Sequence, residues 1–182
     1  MDPESLPADL QEAIRFHGHL CPGLSIGYRA ARIALERLAA ARAEDEELIA
    51  IVENDSCSVD AVQWMTGCTF GKGNFFFRDH GKQVFTFAVR PSGRAVRIAL
   101  KPRPNRPPLP EGNRDAAVEQ MLHAPAEDLF TVEECTITLP AKASIHESLI
   151  CERCGEAVMA TRTETVGAKV LCAPCAHKLR NG

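Results

Sequence analysis

The sequence carries almost no net charge and contains no long apolar run. Lys and Arg number 21 against 24 Asp and Glu, which gives a formal charge of -3. This balance favours neither a general nucleic-acid binder nor a membrane-surface protein. No stretch approaches the roughly 20 apolar residues that span a bilayer. The acidic residues 1–7 do not resemble a signal peptide, so we expect a cytoplasmic protein without membrane contact.

Patterns of common nucleotide-binding folds are also missing. The loop at 69–74 holds two glycines but lacks the spacing of a Walker phosphate loop. Helical and strand-like segments are mixed without a regular strand–helix–strand repeat, so we predict an α+β fold rather than a doubly wound sheet. The predicted helices are 5–16, 23–42, 59–65 and 113–123; the predicted strands are 48–52, 83–89, 95–100 and 130–139, with an extended proline-rich segment at 101–110.

The chain has eight cysteines, and in a cytoplasmic protein these indicate metal or redox chemistry rather than a disulfide framework. Four of them form two Cys-x-x-Cys pairs separated by seventeen residues: Cys151, Cys154, Cys172 and Cys175. This spacing predicts a closed, structural zinc site. We expect the pair 158–159 to form a hairpin with 170–171, followed by a helix over 173–179. The predicted domains are a core at 1–148 and a zinc finger at 149–182.

The stretch from Phe16 to Gly23 reads Phe-His-Gly-His-Leu-Cys-Pro-Gly. Pro22 is favoured at the first position of a helix, which places Cys21 at the helix N-terminus, where a thiolate is stabilised. Gly18 allows a sharp turn that brings His17 and His19 towards Cys21. The alternative is a helix-start loop whose histidines are only hydrogen-bonded and whose cysteine is inert.

Three motifs together resemble the FmdE family, named for the smaller E component of formylmethanofuran dehydrogenase. They are residues 16–23, residues 53–61 (Glu-Asn-Asp-Ser-Cys-Ser-Val-Asp-Ala) and residues 66–74 (Thr-Gly-Cys-Thr-Phe-Gly-Lys-Gly-Asn). The resemblance covers about residues 10–140 and implies an α+β core, a tightly intertwined dimer and a cleft built from these motifs. Some members carry a C-terminal treble-clef-like zinc finger, to which the four-cysteine tail is similar.

The motifs contain a set of residues suited to a transition metal. Imidazole and thiolate together suit Zn²⁺, Ni²⁺, Fe²⁺ or Cu, and no carboxylate-rich set for Mg²⁺ appears. We predict a second metal bound through His19, Cys21 and Cys57, with His17 and Cys68 as further ligands or as groups around the ligands. Lys72 is expected to approach a bound anion. The alternative is a reactive-thiol or purely structural cluster.

Three classes of function follow, and the sequence leaves open whether the protein is an enzyme. The favoured class is a metal-binding accessory protein of one-carbon or redox metabolism, with a molybdenum or tungsten enzyme as its partner. The second is an enzyme that uses an open metal position or Cys57 as a nucleophile. The third is a metal-sensing regulator or adaptor whose zinc finger binds protein or nucleic acid, the latter disfavoured by the acidic chain. We also expect a homodimer, to which the arm at 101–110 would contribute.

Overall fold

The computed structural model describes residues 5–102, residue 105 and residues 113–181. Most of the proline-rich segment at 101–110 therefore lies outside the described residues. The chain divides into two compact units, one ending at Lys142 and one beginning at Ala143. Within the described residues, no helix is long and apolar enough to cross a membrane.

The first unit combines five helices with one five-stranded sheet among its described residues, so the predicted α+β class is confirmed. The sheet order is β2-β1-β3-β4-β5; β1 and β2 run parallel and all other neighbours are antiparallel. The helices are α1 (Ala8–His17), α2 (Pro22–Leu38), α3 (Ser58–Thr66), α4 (Arg114–His123) and α5 (Ala126–Leu129). The strands are β1 (Leu48–Val52), β2 (Phe75–Phe77), β3 (Val84–Val89), β4 (Arg94–Leu100) and β5 (Phe130–Thr136).

The ends of the helices follow from local chemistry. Cys21 caps α2, since its Sγ accepts a hydrogen bond from the backbone N–H of Leu24 at 3.3 Å and Pro22 begins the helix. The predicted end at residue 42 is too late, because Ala39 adopts a left-handed conformation (φ 48°) and its N–H bonds back to the carbonyl oxygens of Glu36 and Leu35. Gly67 (φ 68°) ends α3 as its position after the apolar segment predicted.

The core lies between α2 and one face of the sheet. Phe85, Phe87, Val96 and Ile98 of the two central antiparallel strands are fully buried and share one hydrophobic cluster with small residues of α2 such as Ala30. Where α1, α2 and α3 meet, a second cluster includes Leu10, Leu24, Tyr28, Ala31, Ala61 and Met65. This second cluster fixes the three helix ends that carry the His and Cys motifs of the first unit.

The second unit holds two separate hairpins and a terminal helix. Its elements are β6 (Ser148–Ile150), β7 (Ala157–Met159), a 3-10 turn at Ala160–Arg162, β8 (Thr163–Val166), β9 (Lys169–Cys172) and α6 (Ala173–Arg180). The expected pairing of 158–159 with 170–171 is wrong: Val158 pairs with Leu149, and Val170 pairs with Thr165. Each Cys-x-x-Cys pair thus lies beside its own hairpin, and local turns rather than a long connection set the pairing.

Candidate functional site

The four cysteines of the second unit converge on one point. The Sγ atoms of Cys151, Cys154, Cys172 and Cys175 all lie within 4.8 Å of one another. Cys151 Sγ accepts a hydrogen bond from the backbone N–H of Cys172 at 3.3 Å. Backbone N–H groups of Cys172, Cys154 and Arg153 lower the pKa of the Cys151 thiol from 9.0 to about 6. Four thiol donors at this separation match a tetrahedral zinc site without an open position.

A second group forms in the first unit from residues of two sequence motifs. His17, Cys21 and Cys57 each offer a ligand atom, and these atoms also lie within 4.8 Å of one another. His17 Nε2 is 3.9 Å from Cys21 Sγ. Cys21 is buried and Cys57 is half-buried. Two thiols and one imidazole form a ligand set known from open zinc sites, in which a fourth position takes water or substrate.

Helix ends bring these three side chains together. His17 is the last residue of α1, and Gly18 (φ 94°) turns the chain immediately after it. Cys21 precedes α2 and Cys57 precedes α3, so the positive ends of two helix dipoles point at the two thiols. An ideal Cβ built on Gly23 would lie 3.0 Å from Cys57 Cβ and 3.8 Å from Cys21 Sγ, so the absence of a side chain there allows the close approach.

The electrostatics of the group favour a bound cation. Burial, and then the charge of Cys21 and the hydrogen bond with it, raise the pKa of the Cys57 thiol above 9.0. Two adjacent thiolates repel each other in a poorly solvated place, and a divalent cation between them removes that cost. The donor chemistry of the three residues therefore fits a borderline or soft transition metal.

Asp60 orients the imidazole. His17 Nδ1 is 2.7 Å from Asp60 Oδ2, and the His17 side chain is only 10% exposed. A carboxylate in this position holds the proton on Nδ1, which leaves the Nε2 lone pair directed towards the thiols. Metal-ligating histidines commonly donate their second N–H to a carboxylate in this way. Asp60 lies inside the second motif, but no role was predicted for it, because its partner is 43 residues away.

Three residues that the sequence placed at this site lie elsewhere. His19 is exposed; its ring centroid is 4.5 Å from that of His17, but it is not part of the ligand group. Cys68 is fully buried, donates its S–H to the Leu48 carbonyl at 3.4 Å, and burial raises its pKa to about 11. Lys72 Nζ donates to the carbonyls of Ala43 and Glu44 at 3.0 and 3.3 Å. Metal binding by the remaining three residues stays a prediction.

A cavity of about 330 Å³ opens beside the group. Its polar wall comes from the end of β1 and the start of α3, and its opposite wall is aromatic. The aromatic wall was not predicted, although the run of three phenylalanines at 75–77 was a visible signal. The lining residues are His17, Val52, Asn54, Asp55, Ser56, Cys57, Val59, Asp60, Phe70, Phe75 and Phe77.

Comparisons with known proteins match both units. A family model described as "FmdE, Molybdenum formylmethanofuran dehydrogenase operon" matches residues 16–131, and one described as "Prokaryotic dksA/traR C4-type zinc finger" matches residues 147–180. The second match contains all four cysteines of the C-terminal group, so the second unit carries a C4 zinc-finger site. The first match contains His17, Cys21, Cys57 and Asp60.

Two relatives show how far the similarity extends. A protein of Archaeoglobus fulgidus named "Probable S-adenosyl-L-methionine-binding protein" is 32% identical over 195 aligned residues, which include 92% of this chain and 52% of that protein. The chain thus spans about half the length of that relative. A crystal structure of a tungsten formylmethanofuran dehydrogenase FmdE-like protein from Syntrophus aciditrophicus superposes with a TM-score of 0.70 at 26% identity, covering 90% of this chain and 88% of that one.

Proposed function

This chain belongs to the FmdE family, and we propose that it is a metal-binding accessory protein of one-carbon or redox metabolism. In this proposal a transition metal (zinc, nickel or iron) binds His17, Cys21 and Cys57 in the first unit. The C4 zinc site stabilises the second unit. The observation that carries the proposal is the convergence of the three ligand atoms within 4.8 Å, with a carboxylate already bonded to the imidazole.

The position of the group suggests that its metal acts on something other than the fold. His17 and Cys57 both line the cavity, whereas Cys21 does not. Three protein ligands leave a fourth coordination position, and the two ligands at the cavity wall would orient that position towards the cavity. A closed four-ligand site stabilises a fold, whereas an open site serves exchange, sensing or catalysis.

The role in one-carbon metabolism and the partner rest on what the family description and the solved relative are called. Both names refer to formylmethanofuran dehydrogenase, in a molybdenum or a tungsten form. We therefore propose a molybdenum or tungsten enzyme as the protein partner, and a homodimer as the state in which this chain acts. Light scattering at micromolar concentration should give twice the mass of one chain, and a mass of one chain would contradict the dimer.

Metal analysis of the full chain tests the core site. The protein, purified without oxygen and with a nickel, iron and zinc supply, should hold two metal ions per chain. Cys57→Ser should reduce this to one, because the C4 zinc remains. Cys135→Ser is the matched control, since Cys135 is a half-buried free thiol outside both groups and its loss should leave two ions. One ion in the unsubstituted chain, or two in Cys57→Ser, would refute the core site.

A second candidate function is binding of S-adenosylmethionine, the ligand in the name of the Archaeoglobus relative. The observation that favours it is the cavity, which places aromatic rings opposite carboxylates and falls within the usual size range of small-molecule sites. Equilibrium dialysis with labelled S-adenosylmethionine against the metal-loaded full chain tests it. Saturable binding of one molecule per chain would support the candidate, and no binding at millimolar concentration would reject it.

A further inference from the structure

We propose that the cavity beside the core metal selects a small organic ligand with a flat ring and no negative charge, and that it rejects oxyanions such as molybdate, tungstate or formate. This inference rests on the proposed core metal, and it names the class of molecule that reaches the open coordination position. It concerns the cavity lined by His17, Cys57 and the aromatic wall opposite them.

The shape of the cavity suits a single ring. Its volume is about 330 Å³, at the lower end of the usual range for ligand sites. Phe70 and Phe75 pack against each other with ring centroids 5.0 Å apart and planes at 58°. Phe75 is buried, while Phe70 and Phe77 are 64% and 41% exposed. Two half-open phenyl rings beside a buried one offer stacking and edge contacts to a flat ligand that enters between them and the metal.

The charges around the cavity oppose an anion. Asp55 and Asp60 both line it, and the described lining residues include no Lys or Arg. Asp60 already bonds His17, whereas no described cation lies within salt-bridge distance of Asp55. A divalent metal bound to two thiolates and a neutral imidazole has no net charge, so the two carboxylates set the sign of the site. An entering anion meets that negative charge, and a neutral or cationic ligand does not.

Two features that often attract anions are occupied here. The cation nearest in sequence to the aromatic wall is Lys72, and its Nζ donates to the carbonyls of Ala43 and Glu44. The positive end of α2 is taken by the thiol of Cys21, which accepts the N–H of Leu24. The electron-rich faces of the phenyl rings reinforce the preference, because they attract cations and repel anions.

Nicotinamide and nicotinate test this preference, because they share a ring and a metal-binding nitrogen and differ in one negative charge. The full chain is loaded with Co²⁺, and its visible absorption is followed as each ligand is added. The closed C4 site has no position for a ligand, so only the core metal responds. We expect nicotinamide to bind at least about tenfold more tightly than nicotinate, as screened repulsion between close charges allows.

Two pairs of variants separate charge from stacking. Asp55→Asn should narrow the preference roughly fivefold, while Asp45→Asn, in an acidic loop that lines a different cavity, should not change it. Phe70→Leu should weaken nicotinamide roughly fivefold, while Phe16→Leu, an exposed ring outside this cavity, should leave it unchanged. Metal content is measured in every variant, so that a loss of the core metal is not mistaken for a loss of ligand.

The outcomes distinguish this inference from the function on which it rests. If the core holds no Co²⁺, the proposed metal site is refuted and this inference with it. If the core holds Co²⁺ and nicotinate binds as tightly as nicotinamide, or Asp55→Asn leaves the preference unchanged, this inference alone is refuted. Tight binding of molybdate or tungstate, with displacement of nicotinamide, would likewise show that the cavity is an oxyanion site.

Discussion

Replacing Gly27 with alanine should separate the two helices that hold the thiols of the core group. Gly27 is buried in α2 at its crossing with α3. An ideal Cβ at this position would lie 2.0 Å from the carbonyl oxygen of Ser58 and 2.6 and 2.7 Å from its carbonyl carbon and Cα. All three are backbone atoms, so no side-chain rotation relieves the overlap, and one helix has to move.

The expected cost follows from two opposing terms. Overpacking of a buried position costs roughly 1–3 kcal/mol when side chains rearrange, and a clash with backbone belongs at the upper end. Alanine gains about 1 kcal/mol over glycine inside a helix. The difference predicts a net loss of about 2 kcal/mol of unfolding free energy. For a chain of this size that loss lowers Tm by roughly 4–8 °C.

The same substitution should also weaken the core metal. Ser58 follows Cys57 directly, so a shift of α3 away from α2 moves the Cys57 thiol away from Cys21. Thermal unfolding followed by circular dichroism gives the Tm, and metal analysis of the same sample gives the ions per chain. Gly71→Ala is the control, because its Cβ would meet nothing within 4 Å and its φ is not positive. A Tm within about 1 °C of the original chain, with two ions retained, would refute the close crossing as a requirement of the site.

Three further predictions concern individual side chains. Asp60→Asn should weaken core metal affinity about 10–100-fold, measured by competition with a chromophoric chelator. Glu119→Gln, which alters an ion pair with His123 on α4, should have no effect, and equal affinities would refute the orienting role. Chelation or Cys154→Ala should make the second unit protease-sensitive and leave the first intact, whereas a resistant second unit would contradict metal-dependent folding. Cys68, whose pKa is raised by burial from 9.0 to about 11, should hold roughly 100-fold less thiolate at pH 8 than an ordinary cysteine; mass spectrometry should find it the last thiol alkylated in the folded first unit, and early alkylation would contradict its burial.

Elements with strong local signals could be predicted from the sequence. The apolar run at 48–52 became a fully buried strand, and the segment predicted as a helix at 59–65 differs from α3 by one residue at each end. The short edge strand β2 was missed, because three consecutive phenylalanines show no alternation and the strand depends on its parallel neighbour. The hairpins of the second unit were mispaired, because the spacing of cysteines gives the zinc ligands but not the partner of each strand.

The choice of His17 over His19 shows why the ligand set needed the fold. Both imidazoles are within four residues of Cys21, and the sequence contains no local feature that distinguishes them. The distinction comes from α3: Asp60 lies one turn after Cys57, and its carboxylate reaches the ring at position 17. That contact requires α1 to end beside α3, which the packing of Leu10, Ala61 and Met65 in one cluster provides. A core built from small and apolar residues thus selects the imidazole, and His19 is left exposed at the surface.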